Sequence, residues 1–105
     1  MPFILIYTTH KNREDAQKIV LPLLEQSIIA CANYFPITSQ YKWKDKIELA
    51  EEIVAILKTR KENWEKVREY IEKNHPYETP CIIKLAEVNA NDSYESWVQE
   101  ETVLK

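Results

Sequence analysis

None of the 105 residues is glycine. That absence excludes a P-loop, a dinucleotide-binding fingerprint, an EF-hand loop and a G-x-S-x-G nucleophile elbow, each of which needs glycine where the backbone turns sharply or meets its ligand. The length fits one domain, residues 1–105, and a chain of this size buries roughly two-thirds of its surface without a disulfide or metal staple. Hydrophobic residues make up 45% and charged residues 30%, a mix that supports a packed core and argues against disorder. The 14 Lys and Arg against 17 Asp and Glu leave a net charge of −3, which argues against nucleic acid or an anionic lipid surface as partner.

No run approaches the ~18 apolar residues of a membrane span. The opening MPFILIYTTH has no basic segment before its short apolar run, so it does not read as a secretory signal, and the expectation is a cytoplasmic protein without membrane contact. Cys31 and Cys81 lie in apolar runs with no C-x-x-C spacing, which excludes a zinc knuckle or a thioredoxin motif. Both are expected as free, mostly buried thiols.

The apolar run Phe3 to Tyr7 reads as a central strand. Asn12 caps a helix with Glu14 and Asp15 in its first turn, and Ala16, Ile19, Val20, Leu23 and Leu24 form its apolar face. Pro22 lies inside this helix and predicts a kink. Residues 28–43 read as extended and alternate from Ile37 onward; the chain turns near Asp45 and returns over residues 47–58. A three-residue loop would put Tyr41, Trp43, Ile47 and Leu49 on one face, and that register is expected. Thr59 and Glu62 form a T-x-x-E capping pair opening a second helix, with Trp64, Val67 and Ile71 as its buried stripe, ending before His75-Pro76. A strand over residues 81–88 follows. Asp92 and Glu95 then start a short helix turning Tyr94, Trp97 and Val98 inward.

The order β-α-β-β-α-β plus a short C-terminal helix predicts an α+β, ferredoxin-like sandwich, with an antiparallel sheet and two helices on one face. The central hairpin is longer than a small four-stranded sheet needs, since strands usually run to ~5–6 residues. Its excess must project from the domain or meet another chain, so self-association is expected.

Several segments in order along the chain carry a family resemblance: Ala30-Cys31-Ala32-Asn33, Tyr41-x-Trp43, Ile56-Leu57-Lys58-Thr59, His75-Pro76-Tyr77-Glu78-Thr79-Pro80 and Tyr94-x-x-Trp97. The sequence resembles the CutA divalent-cation tolerance family over nearly its whole length. The resemblance implies a homotrimer, a cytoplasmic role in tolerance to copper and other heavy metals, and no defined reaction. The family usually has glycine in the hairpin turn, where this chain has Asp45. Its copper-binding members use a cysteine at the end of the first strand and a His-His pair before Pro-Tyr; the matching positions here hold Thr8, Asn74 and His75.

His75 and Glu78 are the candidate metal ligands, because imidazole is a common transition-metal donor and Glu78 is near it in sequence. A divalent ion such as copper is the one cofactor the resemblance implies. The plain alternative is that His75 caps the helix C-terminus. Pro76 and Pro80 stiffen a loop that presents Tyr77. With Asn33 and Lys58, Tyr77 forms the candidate binding cleft at a subunit boundary, and Tyr41 and Trp43 are the candidate interface residues. His10, Lys11 and Arg13 at the first helix offer an anion site, or simply a solvated turn. No catalytic constellation stands out, so no enzyme is predicted. The expected function is a binding or signalling trimer in metal tolerance, with a site near the 75–80 loop. The alternatives are a trimeric scaffold acting through partner proteins with no metal site of its own, and a small enzyme on anionic substrates.

Overall fold

Residues 1–103 are described by the structure, a computed structural model. Its elements are β1 (Phe3–His10), α1 (Arg13–Glu25), β2 (Cys31–Trp43), β3 (Lys46–Thr59), a 3-10 turn (Lys61–Asn63), α2 (Trp64–Asn74), β4 (Ile82–Val88) and α3 (Asp92–Glu101). The four strands form one sheet in the order β2-β3-β1-β4, all neighbours antiparallel. This is the expected ferredoxin-like α+β arrangement.

Alternation along the strands assigns the two faces. Ile4, Ile6, Ala55 and Leu57 meet Ile19, Val20 and Leu23 of α1 and Val67 and Ile71 of α2 in the main core. On the opposite face Phe3 packs with Val98 and Tyr94 of α3, beside Leu5. The same face carries the Leu5–Lys58 and Lys58–Cys31 cross-strand pairs. Asn12 caps α1 as expected, its Oδ1 accepting the Asp15 N–H at 2.8 Å. The helix runs unbroken through Pro22.

Four local expectations are corrected. The hairpin loop has two residues, not three: Trp43 pairs with Lys46 and Tyr41 with Glu48. Tyr41 and Trp43 therefore share one face, while Ile47 and Leu49 lie on the other, opposite Lys42 and Gln40. Lys44 and Asp45 both adopt positive φ, 49° and 67°, the mirror-image turn whose twist matches a two-residue hairpin. Thr59 does not cap α2. Its hydroxyl donates to Ile28 O at 2.6 Å, and the 3-10 turn takes up the space where the cap was expected. Cys31 and Cys81 are free but half-buried: Cys31 opens β2, and Cys81 stands just before β4, which begins at Ile82. Leu24 and Trp97, expected inward, are exposed.

The hairpin extends beyond its sheet. β1 pairs with β3 only over Ile53 to Thr59, so the segment of β2 from Ile37 to Trp43 and its partner from Lys46 to Glu52 form a ribbon with no third strand. This gives the chain a long axis of 45 Å against 24 and 21 Å across.

Candidate functional site

The end of β1 and the loop after α2 converge. Proline at position 76 disfavours the helical conformation for the residue before it, and His75 is accordingly extended (φ −79°, ψ 137°) while its N–H closes α2 on Ile71 O. The expectation of a residue at the helix C-terminus holds for the backbone, but the ring goes elsewhere. His75 Nε2 lies 2.9 Å from Thr9 O, and the Tyr77 N–H reaches His75 Nδ1 at 3.1 Å. A backbone N–H can only donate, so Nδ1 accepts and Nε2 carries the proton given to Thr9 O. Both ring nitrogens are committed to backbone.

His10, expected beside Lys11 and Arg13 at an exposed turn, is instead 1% exposed. Its side chain faces into the domain from the last position of β1, and its ring centroid lies 5.0 Å from that of His75. The Thr8 hydroxyl donates to Ala55 O at 3.2 Å and so accepts from His10 Nε2–H at 2.8 Å. His10 Nδ1 is then a buried lone pair without a partner. Burial, and after it the neighbouring His75, lowers the His10 pKa to about 4, against the opposing pull of Asp15 and Glu52. Lys11 and Arg13 stay outside, on the rim of a hollow of about 190 Å³ shared with Glu51 and Glu52. The expected basic cluster is not formed, because the strand continues to position 10 and turns the imidazole inward.

Tyr77 stands edge-on to His75, with centroids 4.6 Å apart at 65°. Its hydroxyl donates to Glu52 Oε2 at 2.8 Å. Burial raises the Tyr77 pKa above the ordinary phenol value, and the Glu52 carboxylate adds to this. Glu78 is exposed and lines a separate surface hollow of about 400 Å³ with Arg68, Glu72 and Pro80. His75 and Glu78 do not fit a divalent metal within the single chain: one offers no free lone pair, and the other faces a different hollow. Among the described residues no group of three or more His, Cys, Asp or Glu could hold a metal ion.

Asn33 and Lys58 stand on the sheet face that α3 partly covers, whereas Tyr77 reaches Glu52 from the loop after α2. Tyr94, from α3, bridges this second polar cluster. Its hydroxyl oxygen is 3.1 Å from Lys58 Nζ and 3.5 Å from Cys31 Sγ. By sequence alone Lys58 and Asn33 are cleft candidates, Cys31 a core thiol and Tyr94 a packing residue. Residues 31 and 58 meet only through the strand register, which no local pattern reveals. Tyr41 and Trp43 are exposed on the ribbon.

Comparison with known proteins is consistent along the chain. Residues 4–101 match the family described as CutA1 divalent ion tolerance protein. The divalent-cation tolerance protein CutA of Pyrococcus horikoshii is 43% identical over 99 residues, covering 94% of this chain and 97% of that protein. The solved structure of the periplasmic divalent cation tolerance protein CutA from Archaeoglobus fulgidus superposes with a TM-score of 0.92 at 37% identity, over 96% of this chain and 99% of that one. The chloroplastic protein CutA of Arabidopsis thaliana is 33% identical over 97% of this chain and 57% of its own length. A cytoplasmic location, expected from the sequence, is corrected by these relatives, which are described as periplasmic and chloroplastic. Among the described residues no helix is long and apolar enough to cross a membrane.

Proposed function

This chain belongs to the CutA1 divalent ion tolerance family, and we propose that it serves divalent-cation tolerance as a homotrimer, one domain per subunit, with a binding or signalling site at the cleft between subunits. The observation that carries the assembly is the ribbon beyond Ile37 and Glu52. A two-stranded ribbon is marginal in water by itself, and this one exposes large apolar side chains on both faces: Tyr41 (45%) and Trp43 (37%) on one, Ile47 (68%) and Leu49 (69%) on the other. A monomer leaves all four wet. A closed ring, in which each ribbon lies against neighbouring subunits, covers both faces at once. Tyr41 and Trp43 are the interface anchors in this reading. Asn33, Lys58 and Tyr77 line the cleft. The relatives are named as tolerance proteins, not enzymes, and we assign no reaction. Sedimentation equilibrium tests the assembly: a species near three times 12.5 kDa supports it, and a monomer at micromolar concentration overturns it.

The engagement of both His75 nitrogens favours a second reading, a trimeric scaffold that acts through partner proteins. Copper bound through His75 and Glu78 requires His75 to give up one backbone hydrogen bond and a second subunit to supply further donors. Calorimetric titration with copper decides between the two. Stoichiometric binding lost in His75→Ala supports a metal site, and its absence supports the scaffold.

A further inference from the structure

β1 pairs with β3 as far as Ile53, opposite His10, and no further. Glu52 is therefore the first residue of the ribbon, paired with Ile37 of β2 and with no strand on its other side. The Tyr77 hydroxyl reaches this point and donates to Glu52 Oε2 at 2.8 Å. Among the described residues this is the one side-chain hydrogen bond that enters the ribbon from outside, since Thr38 and Glu51 bond within it, and no ion pair enters it. Both partners are half-buried, and a phenol donating to a carboxylate makes a charge-assisted bond. The Tyr77 end is itself anchored. Its N–H donates to His75 Nδ1, and His75 Nε2 donates to Thr9 O near the end of β1. Pro76 fixes one φ between the two residues. The loop is thus tied to β1 through His75 and to the ribbon through Tyr77, across the place where the third strand stops.

We propose that Tyr77 is the positioning residue of the ribbon: through Glu52 it sets the direction in which the ribbon leaves the domain, and it couples the ribbon to the loop of residues 75–80. A two-stranded ribbon is soft by itself, so its direction depends on what holds its base. Seven residues in each strand, at ~3.3 Å per residue, make it roughly 20 Å long, and a turn of about 10° at the base moves the tip by about 3 Å. Interface cores pack as closely as protein interiors, so a shift of that size misplaces Tyr41 and Trp43. The link runs both ways. A change that pulls the loop aside releases Glu52, and a change that swings the ribbon releases the Tyr77 ring, because a coupling free energy is reciprocal. The coupling is a property of the single chain; its effect on assembly rests on the homotrimer proposed above.

The test is amide hydrogen exchange of the native full-length chain, read residue by residue by NMR. Tyr77→Phe keeps the ring and removes only the hydroxyl. It is expected to speed exchange of the ribbon amides, residues 37–43 and 46–52, about tenfold, while the core amides of Ile4 and Ile6 keep their rates. Glu52→Ala should do the same and also speed the Tyr77 amide, on the far side of the link. Glu52→Gln keeps an acceptor oxygen and should stay within about threefold of wild type. The double variant Tyr77→Phe with Glu52→Ala should add nothing to either single change, since both remove one interaction. Ribbon amides that keep their wild-type rates in Tyr77→Phe overturn the proposal, and so do single effects that simply multiply in the double variant. If Tyr77→Phe speeds Ile4 and Ile6 as much as the ribbon, the whole fold has loosened and Glu52→Ala decides: a faster Tyr77 amide supports the link, and one at its wild-type rate overturns it. Sedimentation of the same samples separates the two readings. A trimer whose ribbon ignores Tyr77 overturns the coupling alone, whereas a Tyr77-dependent ribbon in a monomer overturns the assembly and supports the coupling.

Discussion

The imidazoles of His10 and His75 lie 5.0 Å apart, centroid to centroid, inclined at 31°, one from the end of β1 and the other from the loop after α2. His75 is satisfied at both nitrogens by backbone, whereas His10 is satisfied at Nε2 alone. The pair is an asymmetric joint between the sheet and the helical layer, and its weaker member is the one that resists protonation.

That asymmetry makes stability depend on pH. His10 titrates near 4 in the fold, against about 6.5 for an unperturbed histidine. Between those values the unfolded chain binds the extra proton, so stability rises with pH in that window and is lost as pH falls from about 6.5 toward 4. The expected loss is about 2–3 kcal/mol across the window. Denaturant unfolding at pH 7.5, 6, 5 and 4 measures it, and His10→Phe should flatten the slope. A variant with the same pH slope as wild type would show that His10 is not the group responsible.

Trp43→Ala should weaken the trimer more than any single surface charge change, since truncating an aromatic anchor costs about 2–4 kcal/mol at an interface. Sedimentation equilibrium should show dissociation shifted to higher concentration. A variant that melts earlier yet keeps its mass would confine Trp43 to packing within its own subunit.

Copper or zinc should bind the wild-type protein weakly. Strong sites use thiolate and free imidazole donors, and position 8 holds a threonine whose hydroxyl is committed to Ala55 O and His10. Replacing Thr8 by Cys and Asn74 by His should tighten copper binding about tenfold or more, read by competition titration. Nanomolar binding of one copper per wild-type subunit would contradict this.

The hairpin turn carries a removable cost. A residue with a Cβ in the left-handed region is strained by roughly 1–2 kcal/mol, with Asn and Asp penalised less, and Lys44 and Asp45 are both there. Lys44→Asn with Asp45→Gly supplies the pair this turn prefers. It should stabilise the fold by about 1 kcal/mol, seen as a higher melting temperature with unchanged mass. A lower melting temperature would mean that Lys44 contributes more through its contact with the Trp43 ring than the turn loses in strain.

The order of elements was legible in the sequence because it depends on local periodicity. The Ala16, Ile19, Val20 and Leu23 stripe of α1, the Asn12 cap and the proline that ends α2 at Asn74 are short-range signals, and each appears where expected, Leu24 excepted. The T-x-x-E signal misled for a reason of the same kind seen from outside: Thr59 belongs to a strand whose neighbour, Ile28 O, lies 31 residues away and takes the hydroxyl first. The hairpin register failed similarly. Grouping four apolar residues on one face was the best inference for a ribbon with a single buried side, and this ribbon has apolar residues on both.

The candidate residues follow the same division. Composition excluded the glycine-dependent sites outright, and the motif spacing identified the family, because both are properties of the chain as written. Which side chains meet was decided by the fold alone. The β2–β3 register joins Cys31 to Lys58, and the packing of α3 brings Tyr94 to both. The return of the chain after α2 sets His75 beside His10 and ties both of its nitrogens to backbone. Sequence fixes which donors and acceptors exist. Their protonation, and whether a lone pair is free, depend on neighbours tens of residues away, and those contacts form only when the whole sheet closes.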